Sequence, residues 1–143
     1  MVNNKRWPFC IGVVVILVVF IFVLFKLNTG ENPFKTLKPE EVQKIELLVR
    51  PPYSIIEITS AKQIQEIINE LNQVVIYEED NSWKEVDGQY IQYIITMTNG
   101  QVKTIGAYDT CIIIEGVGYK SKYAIFENLN KIANSIIEND NRK

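Results

Sequence analysis

The sequence predicts an α+β fold: an N-terminal transmembrane helix, then a mostly antiparallel sheet with two amphipathic helices on one face. Three observations carry this. An apolar run without charge opens the chain, Phe9 to Phe25, reading FCIGVVVILVVFIFVLF. Two later segments, around residues 64–71 and 125–136, repeat apolar residues at the 3.6-residue helical period. The segments between them alternate apolar and polar residues and are joined by turn signals, of which Asn99-Gly100 is the strongest.

Residues 1–6 form a short basic tip with Lys5 and Arg6, and Lys26 closes the other end of the apolar run. Taken from Trp7 to Leu27, a helix is about 31 Å long, matched to a bilayer core of roughly 30 Å. Trp7 then falls at the interface as an aromatic anchor. Lys26-Leu27-Asn28-Thr29-Gly30 lacks the small-x-small pattern of a signal-peptide cleavage site, so the span is expected to stay attached. A short basic tail before an apolar run resembles an export signal, which predicts a single-pass membrane protein, N-in with an extracytoplasmic C-terminal domain.

Residues 28–37 (NTGENPFKTL) read as a linker, because Gly30 and Pro33 break the helix. The domain is expected over 38–138. Pro39 with Glu40 and Glu41 starts a short helical turn. Ile45, Leu47 and Val49 alternate with polar neighbours as a strand, PPY turns the chain, and SIIEIT returns. Ser60 and Gln63 match a capping box ahead of Ile64, Ile67, Ile68 and Leu71. QVVIYE reads as a third strand. GQYIQYIITMT and QVKTIGAY form a hairpin through Asn99-Gly100, and CIIIEG and GYKSKY another through Gly116-Val117-Gly118. A last helix carries Ile125, Leu129, Ile132, Ala133 and Ile136 on one stripe, and residues 139–143 fray.

Charge and composition exclude several functions. All 17 carboxylates follow Gly30 while only 12 of the 15 Lys and Arg do, so the part beyond the membrane is anionic, near −5. With no basic run there, nucleic acid is not an expected partner. Histidine is absent and the two cysteines, Cys10 and Cys111, lie in different segments. That removes His-based acid–base catalysis, ordinary zinc sites and an intrachain disulfide. No catalytic, cofactor-binding or metal site is expected.

The stretch EEDNSWKEVDG, residues 78–88, concentrates five carboxylates around a tryptophan. As an EF-hand it fails: its sixth position would be Trp83 instead of Gly and its twelfth Gln89 instead of Glu. Asp80, Glu85 and Asp87 could pair for glycosidic hydrolysis only across a cleft, whereas a short strand connection makes a tip. The bland alternative is a solvated connection that keeps the domain soluble. The sharper one makes Trp83, Glu79, Asp80, Glu85 and Asp87 a partner-binding tip, since Trp is enriched at binding hot spots. Tyr77, Tyr90, Tyr93 and Tyr108 could likewise line an open sheet face, or simply pack as sheet aromatics.

The pattern IYEEDNSWKEVDGQYIQYIITMTNGQ, then IIIEGVGYKSKY and LNKIAN, resembles a family of small domains of unknown function on membrane- or lipid-anchored proteins of low-GC Gram-positive bacteria. The resemblance covers residues 34–137 and implies the architecture and an envelope location, but no activity and no functional residue. Together these features predict a membrane-anchored, extracytoplasmic, non-enzymatic binding module with a protein partner at the cell surface. The alternative is a surface immunity or inhibitor protein against a secreted toxin or cell-wall hydrolase, and an enzyme is a distant third.

Overall fold

The computed structural model describes residues 7–51, 53–85, 88–108 and 111–142, with side chains of its first helix described at 11–24 and 29. The chain divides at Gly30 into two units. The first is helix α1, Trp7–Thr29. Every side chain described from Ile11 to Leu24 is exposed. Those side chains span about 21 Å of helix axis, so among the described residues no helix is long and apolar enough to cross a membrane. The backbone nevertheless stays helical over all 23 residues. The basic tip expected at 1–6 lies outside the described residues.

The second unit begins at Glu31 and contains β1 (Val42–Arg50), β2 (Ser54–Ile58), α2 (Ala61–Leu71), β3 (Ile76–Glu79), β4 (Tyr90–Met97), β5 (Val102–Tyr108), β6 (Cys111–Ile114), β7 (Val117–Ser121) and α3 (Tyr123–Asp140). Short 3-10 turns occupy Pro39–Glu41 and Ser82–Glu85. The seven strands form one antiparallel sheet in the order β2-β1-β4-β5-β6-β7-β3. The α+β expectation is met.

Alternation along the strands sorts side chains onto two faces. On one, the register lines Leu47 up with Tyr93 and Tyr93 with Ile105, and likewise Val49 with Ile91 and Ile91 with Ala107. These residues are buried together with Ile64, Ile67, Ile68 and Leu71 of α2 and Ile125, Phe126, Leu129, Ala133 and Ile136 of α3. Ile132, expected on the α3 stripe, is only partly buried, and Phe126 takes a core place instead. A buried branched side chain of this kind contributes about 1.5–3 kcal/mol. The stretch 31–37, read as linker, belongs to the fold. Phe34 and Leu37 are core residues, Glu31 bridges to Ile76, and Asn32 donates to the Asn72 carbonyl at 2.7 Å.

Local signals held unevenly. Ser60 occupies the N-cap of α2 but its hydroxyl makes no capping hydrogen bond; only its carbonyl engages, accepting the Ile64 N–H at 2.9 Å. Asn99-Gly100 turns the β4–β5 hairpin as expected. Gly100 donates to the Met97 carbonyl and alone takes positive φ, so a type I turn leads into a bulge, with Asn99 Oδ1 accepting from the Gln101 N–H. The second hairpin turns at Glu115-Gly116, both with positive φ, and Gly118 lies inside β7. Glu115 accepts that conformation while its carboxylate receives the Thr104 N–H at 2.8 Å.

Successive strand residues direct their backbone groups to opposite sides, so the hydrogen-bond phase can be followed across the sheet. The Met97 N–H meets the Gln101 carbonyl on the β5 side, and the Thr98 N–H meets the Glu41 carbonyl on the β1 side. Hence Gln92 and Ile94 turn to β1, and their partners Leu48 and Glu46 turn to β4. Ile45, Leu47 and Val49 therefore bond to Ile58, Ile56 and Ser54. Ile55 and Glu57 are left with their N–H and C=O directed out of the sheet.

Tyr93 ties the layers together. It is fully buried, and its hydroxyl donates to the Leu129 carbonyl of α3 at 2.7 Å. Burial, helped by the fields of Glu66 and Glu70, pushes its pKa far up. A group raised in the folded state stabilises the fold fully below its unfolded pKa of about 10 and loses that contribution as pH climbs above it. Tyr93→Phe should cost about 1 kcal/mol in denaturant unfolding and flatten the loss of stability above pH ~10; an unchanged alkaline slope would show that Tyr93 is not the group responsible.

Candidate partner-binding corner

The opposite face of the sheet carries neither α2 nor α3, yet Leu48, Tyr108, Cys111 and Ile113 are buried there. What covers the β6–β7 end of this face is the acidic connection between β3 and β4. The Asp80 N–H donates to the Gly118 carbonyl at 2.8 Å, and the Gly118 N–H donates to Asn81 Oδ1 at 3.2 Å. Asp80 Oδ1 accepts the Ser82 N–H at 3.0 Å, which sets the 3-10 turn. That turn lays Trp83 back on the sheet. Its ring stacks on Tyr90 (centroids 6.5 Å apart, planes 14° apart) and meets Tyr108 edge-on at 6.5 Å. Tyr90 and Tyr108 are cross-strand partners 6.2 Å apart.

Two glycines make room for this cluster. A Cβ at Gly118 would collide with the Asp80 carbonyl and the Trp83 ring, and a Cβ at Gly106 would lie 2.8 Å from the Tyr90 ring. Each marks a close approach by another group, one of the reasons a strand contains glycine. Trp83 Nε1 is buried without a hydrogen-bond partner among the described residues, and the Lys84 ammonium lies 5.7 Å from the ring centroid.

The acids form the rim. Glu79 is exposed and accepts from Asn81 Nδ2 at 2.7 Å; Glu78 is exposed and pairs with Lys120. The Ser82 backbone N–H, with its hydroxyl and then the charge of Lys120 assisting, holds the Asp80 carboxyl below its ordinary value. Of the expected tip, the structure thus gathers Glu79, Asp80 and Trp83. Asp87 and the side chain of Glu85 lie outside the described residues. The four tyrosines do not share a surface: Tyr93 is on the helix-covered face, in the core, while Tyr90 and Tyr108 sit under Trp83 and Tyr77 is exposed on β3. Strand parity separates 93 from 90 and was enough to predict this. Gly118 and Asn81, which position the tip, were missed; the glycine inside GVGYKS was the available signal.

Among the described residues no group of three or more His, Cys, Asp or Glu side chains could hold a metal ion. Comparison with protein-family models, with curated proteins and with solved structures finds no match. Chemically, the corner offers a fixed aromatic plate edged by carboxylates, suited to a basic and apolar counterpart.

Gly118→Ala should lift the loop off the sheet, lowering stability by roughly 1–3 kcal/mol. In a Trp7→Phe background the Trp83 emission should shift to the red. Unchanged melting and emission would mean that the loop does not rest on Gly118.

Proposed function

We propose that the chain is a membrane-tethered, extracytoplasmic, non-enzymatic binding module whose acidic corner meets a basic protein surface. The tether is supported by the apolar run between Lys5-Arg6 and Lys26 and by a helical backbone that continues over 23 residues. At that length a helix measures about 34 Å, enough for a hydrocarbon core of roughly 30 Å. The exposed valines, isoleucines and phenylalanines of α1 need an apolar solvent or partner, and lipid supplies one.

The binding role rests chiefly on one observation: the backbone of Asp80 is anchored to Gly118, and the carboxylates of Glu79 and Asp80 are held by Asn81 and Ser82 in a loop whose Trp83 packs on the sheet. Charges fixed in this way lose little conformational entropy on association and steer a basic partner. The alternative, an immunity or inhibitor protein against a secreted toxin or hydrolase, uses the same corner against a basic enzyme surface.

In the cell, the full chain should remain in the membrane fraction after an alkaline carbonate wash, and protease added to wall-stripped cells should digest the C-terminal domain. Release by the wash, or full protection, would overturn the tether or its orientation. Changing Glu78 and Glu79 to Ser should leave melting within about 0.5 kcal/mol per site while slowing association with an envelope partner in a salt-dependent way. An unaltered association rate would sink the corner as the binding surface.

A further inference from the structure

The two edges of the sheet differ. On β3 the outward backbone of Ile76 is occupied by Glu31, bonded in both directions at 2.7 and 2.8 Å, and the rest of the strand is acidic and irregular in register. Those are ordinary protections of an edge strand. On β2 the sequence Ser54-Ile55-Ile56-Glu57-Ile58 is flat in register and rich in β-branched residues. Hydrogen-bond phase directs the N–H and C=O of Ile55 and Glu57 outward, and neither meets a backbone partner among the described residues. Beside them lie two exposed apolar side chains, Tyr53 at 66% and Ile55 at 54%.

We propose that β2 pairs antiparallel with β2 of a second copy of this chain about a two-fold axis, with Ile55 opposite Ile55 of the other copy. Beyond the binding reading above, this is carried by the edge itself. Three registers of these residues keep the outward groups in phase: Ile55 opposite Ile55, Ile55 opposite Glu57, and Glu57 opposite Glu57, the last setting like charges face to face. The second sets a carboxylate against an isoleucine. The first pairs the exposed isoleucines and brings Glu57 opposite Tyr53, whose ring carries the Arg50 guanidinium at 5.2 Å. Arg50 makes no ion pair among the described residues, and the pairing brings to it the Glu57 carboxylate, which Lys44 holds at 2.8 Å within its own copy, as an anion shared by two cations. Both Glu57–Arg50 contacts arise together from the symmetry. An edge this short gives a weak, concentration-dependent dimer.

The pairing sets the two Ile55 Cα atoms about 5.5 Å apart, within disulfide reach. In the full chain carrying Cys10→Ser and solubilised in mild detergent, Ile55→Cys should oxidise to a dimer of twice the chain mass. It should do so about tenfold or more faster than Val102→Cys, a similarly exposed site at 55%. Ile55→Pro removes an outward N–H without touching the β1 ladder, so it should abolish the dimer in sedimentation while leaving the melting transition in place. Glu57→Arg should weaken the dimer and Arg50→Glu combined with Glu57→Arg restore it. Equal oxidation at 55 and 102, a dimer that survives Ile55→Pro, or adducts of Ile55→Cys with a different protein would each overturn the proposal.

Discussion

A seven-stranded sheet covered by helices on one face must solve the problem of its other face, and most of the second unit's irregular features answer that constraint. The covered face is simple: β-branched residues and Tyr93 meet the apolar stripes of α2 and α3. The uncovered face mixes three devices. Lys44 bonds Glu57 at 2.8 Å and lies 3.6 Å from Glu46 across the β1–β2 end; such exposed pairs add little stability but keep that end soluble. The Tyr90 ring fills the space left by Gly106 and meets the tilted ring of Tyr108 beside it. Over Gly118 a loop supplies the missing layer through Trp83.

The glycines show how far one residue can determine such a face. Gly118 combines a backbone bonded to both Asp80 and Asn81 with an absent side chain that the Trp83 ring replaces. Removing either feature would free the acidic loop. Among the described residues the buried Nε1 of Trp83 has no hydrogen-bond partner, and its ring stacks on Tyr90 and meets Tyr108 edge-on. Burying an indole N–H in this way costs about 1–3 kcal/mol, which ring burial of 150–250 Å² can offset at about 25 cal/mol per Å².

What the sequence disclosed follows the same division. Ile45, Leu47, Val49 and the 64–71 stripe were legible because burial on one face imposes a period, and the period survives in the sequence. Phe34 and Leu37 were not, since two apolar residues among Gly, Pro and Asn show no period. Ser60 satisfied a pattern without making its bond, because the side-chain hydroxyl of an exposed residue has water as an equal partner. The turn at Glu115-Gly116 was obscured by the second glycine at 118, and the carboxylate of Glu115, whose φ is positive, accepts the Thr104 N–H there. Trp83 could be singled out by type, but whether it projects or folds back depends on Gly118, thirty-five residues away in sequence.

Strand order separates the two surfaces argued to bind. Gly118 lies on β7 and the open edge is β2, five strand steps apart, or about 24 Å at a spacing near 4.8 Å. A partner at the acidic corner therefore leaves the β2 edge free. In the proposed dimer the two sheets join through β2, and the two Gly118 anchors of the acidic loops stand eleven strand steps apart, on the order of 53 Å before twist is counted. A target presenting repeated basic sites at that span could engage both corners at once. Its second contact would then form at the millimolar effective concentration typical of linked sites, so a weak edge pairing can raise the avidity of a modest acidic surface without adding a contact to it.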